Sequence, residues 1–236
     1  GMRVSRIKEW NGLALIGTDQ GVYLMNGKNE AYRVSRACAK AFDIVDSSSF
    51  IAATVSGAFK FNRRGSLYHV DTIWQERTTA VAVDGKQTVW LGTLNGLFFA
   101  DGVSTAVRYG KSERLANSRI TDISIGGPGY VLVATHQNGV FAVSKDTAIQ
   151  ITKRNGLPSN SCIRIAKQGD TVFWVGTNKG LAKICRPANS MTFQVVDYSN
   201  ASSGIGAITD MYIDSNEIFL ATHIGLFKLA LANAVP

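Results

Sequence analysis

Three histidines are the side chains of this chain best able to move protons or hold a metal near neutral pH. Two of them, His136 and His223, each follow a threonine inside the same local pattern. Two imidazoles on one rim could ligate a metal or shuttle protons. No carboxylate set with metal-ligand spacing accompanies them, and the same position is filled by Asp19, Leu94 and Asn178 elsewhere. A polar turn that tolerates histidine therefore explains both without chemistry. His69 lies in a short strand-like segment and reads as solvated. Nucleophilic catalysis has no G-x-S-x-G elbow to rest on. Cys38, Cys162 and Cys185 are odd in number, lack C-x-x-C spacing, and lie among apolar residues, which marks inert thiols. No catalytic residue, metal or cofactor is expected.

A ligand rim is the better use of these positions. The turns that carry the histidines would also present Asp19, Gln20, Asn95, Asn138, Asn178 and Lys179. The segments leading into the next unit would add Trp74, Arg77, Arg119 and Asn160, although Asn160, like Asn117, also suits a turn cap. Amides, guanidinium groups and one indole face fit a sugar, whose hydroxyls want paired donors and acceptors while its ring stacks.

What must position them is a repeat. Leu15 to Tyr23 has five relatives, at Ile51–Phe59, Trp90–Phe98, Leu132–Phe141, Trp174–Leu181 and Phe219–Phe227. Their threonines stand at 18, 54, 93, 135, 177 and 222, spaced by 36, 39, 42, 42 and 45 residues. A period near forty with strand-like content means propeller blades. Each unit is an apolar run ending in Gly or Ala and then Thr, a polar turn with Gly, and a second apolar run. That reads as a hairpin whose first strand is covered on both faces, with the small residue admitting a neighbouring sheet. An apolar run before the hairpin and a short one after it give four strands per blade. The sixth unit has no evident fourth strand.

Composition agrees. Glycine is frequent (23) and proline scarce (4), as buried strands joined by tight turns require. Forty-five per cent hydrophobic residues exclude a disordered chain. No uncharged apolar run is long enough to span a membrane, and Arg3, Arg6, Lys8 and Glu9 break up any signal-peptide pattern. Gly1 before Met2 reads as a cloning remnant, so that pattern says little about location. The net charge of +8 is scattered through turns and strand edges, with local concentrations only at Arg33–Lys40 and Arg63-Arg64. A nucleic-acid site would need a contiguous basic stripe with aromatics interleaved, and none is expected.

Asn155-Gly156-Leu157-Pro158-Ser159-Asn160 followed by Trp174-Val175-Gly176-Thr177-Asn178-Lys179-Gly180-Leu181 resembles the two-component regulator propeller repeat. Trp90 to Leu97 resembles its hairpin equally well, and Leu115 to Ile120 is a worn copy of its lead-in. The resemblance implies the extracytoplasmic sensor region of bacterial histidine kinases and hybrid regulators, many of which sense oligosaccharides. It also implies larger, often seven-bladed propellers followed by an immunoglobulin-like domain, a membrane helix and a kinase.

The expectation is an all-β, single-domain β-propeller of six mostly four-stranded blades, over residues 3–36, 37–72, 79–110, 118–154, 161–198 and 206–231. An open or seven-bladed arrangement is the alternative. The expected function is non-catalytic sensing of an oligosaccharide or other small polar ligand, in the periplasm if the sensor resemblance holds. A propeller lyase or hydrolase using the rim histidines is one alternative. A scaffold that binds a protein partner, or itself, through a propeller face is the other.

Overall fold

A computed structural model of the chain describes every residue except 102–104, 128, 188–191, 200–203 and 232–236. Pro128 and the end of the apolar stretch from Ile218 thus lie outside the described residues. The chain divides into two compact units, Gly1–Gly110 and Lys111–Pro236. Each carries three antiparallel sheets laid down in chain order.

In the first unit, β1 (Val4–Trp10), β2 (Leu13–Thr18), β3 (Gly21–Met25) and β4 (Ala31–Ser35) form blade 1. Blade 2 is β5 (Ala39–Ile44), β6 (Ser49–Thr54), β7 (Ala58–Arg64) and β8 (Leu67–Trp74). Blade 3 is β9 (Thr78–Val83), β10 (Thr88–Thr93), β11 (Gly96–Asp101) and β12 (Val107–Arg108). The second unit opens with a single helical turn, α1 (Glu113–Ala116), capped by Ser112, whose hydroxyl accepts from the Leu115 N–H. Blade 4 follows as β13 (Ile120–Ile125), β14 (Val131–Thr135), β15 (Val140–Val143) and β16 (Ala148–Ile151). Blade 5 is β17 (Cys162–Gln168), β18 (Val172–Thr177), β19 (Gly180–Cys185) and β20 (Gln194–Asp197). Blade 6 has three strands among the described residues, β21 (Ile208–Asp214), β22 (Glu217–Thr222) and β23 (Gly225–Ala230).

The repeat threonine is the pin of every hairpin. Its hydroxyl donates to the carbonyl of the turn glycine, at 2.9 Å for Thr18, Thr54 and Thr93, 2.7 Å for Thr135, 2.8 Å for Thr177 and 3.0 Å for Thr222. The same oxygen accepts a turn N–H, for example from Gln20, Asn95, Asn138, Lys179 and Ile224. One buried hydroxyl thus satisfies two main-chain groups that the reversal would otherwise strand. Thr177→Val keeps shape and volume but removes both bonds, so a loss of about 1–3 kcal/mol in denaturant unfolding is expected, while Thr177→Ser retains most of the stability.

Every first strand also carries a register break near its start, between Val4/Arg6, Ala39/Ala41, Ile120/Asp122, Cys162/Arg164 and Ile208/Asp210, and opposite Gly92/Thr93 in blade 3. The extra residue is re-aimed by the bulge. Ser5 and Thr121 use it to donate to Ala39 and Cys162 in the next blade, the latter at 2.8 Å. Thr79 and Thr209 instead donate to the central strand of their own blade at 3.0 Å.

Adjacent blades within a unit pack through the small residue before the threonine. A methyl added at Gly17 would come to 2.9 Å from the Phe42 ring of blade 2, and one at Gly176 to 2.8 Å from Ile208 of blade 6. Ions and hydrogen bonds tie the same layer. Asp43 accepts from Lys8 of blade 1 and, at 2.6 Å, from the Val83 N–H of blade 3. Asp122 accepts from the Ile165 N–H at 3.0 Å, and Arg164 pairs with Asp210 at 3.1 Å. Between blades 1 and 2 the core is aromatic: Phe50 stacks on Phe61 at 4.9 Å and meets the Trp10 edge at 5.1 Å.

One element runs further than its sequence pattern suggests. β8 continues past Val70 to Trp74, which pairs with Ala58 across the sheet. Within it Asp71 accepts from the Asn62 amide at 2.8 Å and pairs with His69 at 3.0 Å.

Candidate functional site

In blades 1, 2, 4 and 5 the hairpin turns are hydrogen-bonded to the segments leading into the blades, so these blades present both at one end. Asp19 N–H donates to Arg3, Val55 to Cys38, His136 to Arg119, Gly139 to Asn160 and Asn178 to Ser161, at 2.9–3.2 Å. Threonine, turn and lead-in thus form a fixed platform from which the remaining side chains project.

In the first unit the platform carries Asp19, Gln20, Asn95 and Arg77, all exposed. Asp19 accepts from the Arg3 N–H at 2.9 Å, and its carbonyl accepts from the Cys38 thiol. Trp74 belongs to the outer strand of blade 2 rather than to a lead-in loop. Its ring lies 4.7 Å from that of Phe98 in blade 3, and the Arg108 guanidinium sits 5.9 Å over the same Phe98 ring. Arg108 in turn donates to the Asn95 carbonyl at 2.9 Å. Trp74 and the Asn95 turn are thereby joined through two residues that sequence reasoning did not select, Phe98 and Arg108.

Beside Trp74 opens a cleft of about 320 Å3 lined by Thr72, Ile73, Trp74, Gln75, Glu76 and Thr105. This lies at the small end of the range for ligand pockets. The Trp74 Nε1–H is enclosed and has no hydrogen-bond partner among the described residues. A buried donor left in this state costs about 1–3 kcal/mol. The lining otherwise offers hydroxyls, an amide and a carboxylate, together with one aromatic wall.

In the second unit His136, Arg119, Asn178, Lys179 and His223 are exposed. His136 and His223 stand at the same turn position of blades 4 and 6, with blade 5 and its Asn178 between them. Among the described residues no group of three or more His, Cys, Asp or Glu side chains is placed to hold a metal ion. Asn138 is committed to the framework, with its amide donating to the Ser118 hydroxyl at 2.9 Å. So is Asn160, whose side-chain oxygen accepts from the Lys153 N–H at 2.8 Å. That bond closes the Gly-Leu-Pro lead-in, where a single 3-10 turn (Lys153–Asn155) is capped by Thr152 and stopped by Gly156 at φ 109°. Cys38, Cys162 and Cys185 are free thiols, and burial pushes Cys162 up to about 12.

No family model matches the chain, and no curated protein sequence matches it. Solved structures do match. The extracellular domain assigned to the hybrid two component system BT3049 from B. thetaiotaomicron superposes with a TM-score of 0.76 at 19% identity, over 100% of this chain and 35% of that one. The corresponding domain of BT4673 from the same organism gives 0.71 at 17% identity, over 100% of this chain and 32% of that one. An ancestral GH74 enzyme gives 0.70 at 14% identity, over 92% of this chain and 38% of that one. The chain therefore spans about a third of the length of the two extracellular domains. Its sheets and these likenesses together establish a six-bladed β-propeller with the fold found in extracellular domains of hybrid two component systems.

Proposed function

We propose that this chain is a non-catalytic, ligand-binding propeller of an extracytoplasmic sensor, taking a neutral carbohydrate-like ligand in the cleft beside Trp74. The observation that carries this reading is the cleft itself: an indole wall with hydroxyl, amide and carboxylate groups around it. A sugar supplies what those groups lack, since each hydroxyl both donates and accepts while the ring face packs on the aromatic surface. Glu76 favours a neutral ligand over an acidic one, because a carboxylate in the lining would repel uronates or sulfates. The sensor role is supported by the likeness to extracellular domains of hybrid two component systems.

The test is glycan-array screening followed by calorimetry on the best neutral ligand. Trp74→Ala is expected to lower affinity by about tenfold or more, as loss of an aromatic anchor does. Glu76→Gln, an exposed change that leaves the core intact, should weaken neutral-ligand binding less and admit acidic glycans. Absence of any glycan ligand, or affinity indifferent to both variants, overturns the assignment. Turnover of a bound glycan that His136→Ala abolishes would overturn its non-catalytic part.

A further inference from the structure

Cations that look scattered along the sequence gather at one end of the second unit. Every charged side chain of the chain lies among the described residues. Arg119 leads into blade 4, and its carbonyl accepts from the His136 N–H of the hairpin turn at 3.0 Å. Arg114 donates to the Gln150 side chain at 3.1 Å, and the Gln150 amide donates to the Asn138 carbonyl of that turn at 2.9 Å. Lys153 and Arg154 lie in the 3-10 turn before blade 5. The Lys153 N–H donates to Asn160, whose own carbonyl accepts from the Gly139 N–H at 2.9 Å. Lys179 stands in the blade 5 turn, and all five side chains are exposed. The acids beside them are Glu113 in α1 and Asp197 on β20, and Asp197 already accepts from the Ser199 N–H at 2.7 Å. At the opposite end of the unit cations come with acids. Lys167 pairs with Asp170 at 3.0 Å, Lys228 with Glu217 at 2.8 Å, and Lys145 precedes Asp146.

We propose that the turn end of blades 4 to 6 docks on an anionic phospholipid membrane surface. The guanidinium and ammonium groups meet lipid phosphates, which accept from them and compensate their charge. Two observations select lipid from other polyanions. Among the described residues the turns and lead-ins of this unit expose no aromatic ring. Sugar rings and unpaired bases gain much of their binding by stacking on such rings, whereas lipid phosphates need only donors and charge. Ile224, at the tip of the blade 6 turn between His223 and Gly225, is 67% exposed. An aliphatic side chain held out at a tip gains nothing from a dissolved polyanion, but it enters the apolar boundary beneath the headgroups.

Each cation brought to an anionic surface raises partitioning by about fivefold, so several weak attractions on one platform add up to stable docking. The attraction acts over about a Debye length and fades as salt is added. The inference is independent of the Trp74 cleft, which lies in the first unit.

Co-sedimentation of the whole chain with phosphatidylcholine vesicles, with and without about 30% phosphatidylglycerol, tests the docking. Binding is expected on the anionic vesicles and should weaken as salt rises. Lys179→Gln and Lys145→Gln make the same change in net charge at opposite ends of the unit. The first should lower partitioning about fivefold and the second hardly at all, while Lys153→Gln with Arg154→Gln should lower it about tenfold or more. Ile224→Ser should weaken vesicle binding further. All of these residues are exposed, so the variants should keep the wild-type circular dichroism. No preference for anionic vesicles, equal losses for Lys179→Gln and Lys145→Gln, or an Ile224→Ser variant that binds like wild type overturns the proposal. So does tighter binding, at equal charge concentration, to polygalacturonate or single-stranded DNA than to the vesicles.

Discussion

Gly139→Ala is expected to destabilise the protein by about 3 kcal/mol or more, read as a fall in the midpoint of denaturant unfolding. Two penalties coincide at this residue. Its φ is +77°, where an L side chain is strained, and the new methyl would stand 2.1 Å from the Ile151 carbonyl oxygen. That oxygen belongs to the main chain of the outer strand, so relief requires the strand itself to move. β16 contributes a full ladder of pairs to β15, and Ile151 and Leu157 belong to the buried core shared by blades 4 and 5. Gly225→Ala is the internal comparison. Its φ is +151°, but among the described residues no atom stands closer than 4.0 Å, so only the backbone strain of about 1–2 kcal/mol remains. Equal losses at the two positions would mean that steric conflict with the outer strand contributes nothing.

Phe50→Ala should cost about 3–5 kcal/mol, the range for removing a buried aromatic side chain. Phe50 is fully buried and sits at the centre of a ring cluster, stacked on Phe61 and edge-on to Trp10 and Phe42. Those neighbours are rigid rings on separate strands of two blades, so they collapse poorly into the space left behind. Phe50→Leu keeps most of the volume and should recover more than half of the loss. An alanine variant within about 1 kcal/mol of wild type would show that the cluster repacks freely.

The hairpins were legible because their requirements are local. A buried threonine must find its partners within the turn it closes, and a turn at positive φ must have glycine, so six copies at regular spacing betray both. The bulges were not read, although a hydroxyl recurs at the bulged position as Ser5, Thr79, Thr121 and Thr209. Serine and threonine in a strand carry no sign of which carbonyl they will reach, and here two reach the next blade while two reach their own. The short helix α1 had its signal in Ser112, a cap, but four residues give no period to detect.

The cleft was legible only through Trp74. Thr72, Gln75 and Glu76 look like any solvated linker, and Thr105 lies some thirty residues away, so their meeting is a tertiary fact. Arg108 reads as one of many scattered cations until its guanidinium is seen over Phe98 and bonded to the Asn95 carbonyl. Asn138 and Asn160 show the converse. Their type suited a polar ligand, yet their amides are spent on Ser118 and on the Lys153 N–H.

The threonine pin has a consequence for how such a chain can change. Because the hydroxyl satisfies the turn's main chain, helped in blades 1, 2, 4 and 5 by the lead-in segment, the exposed residues between threonine and glycine have little left to stabilise. Gln20, Leu94 with Asn95, Asn178 with Lys179, and His223 with Ile224 already show four unrelated chemistries on one frame. Mutation can therefore sample new recognition at these tips without spending the marginal stability of the fold, much as antibody loops diversify on a constant scaffold.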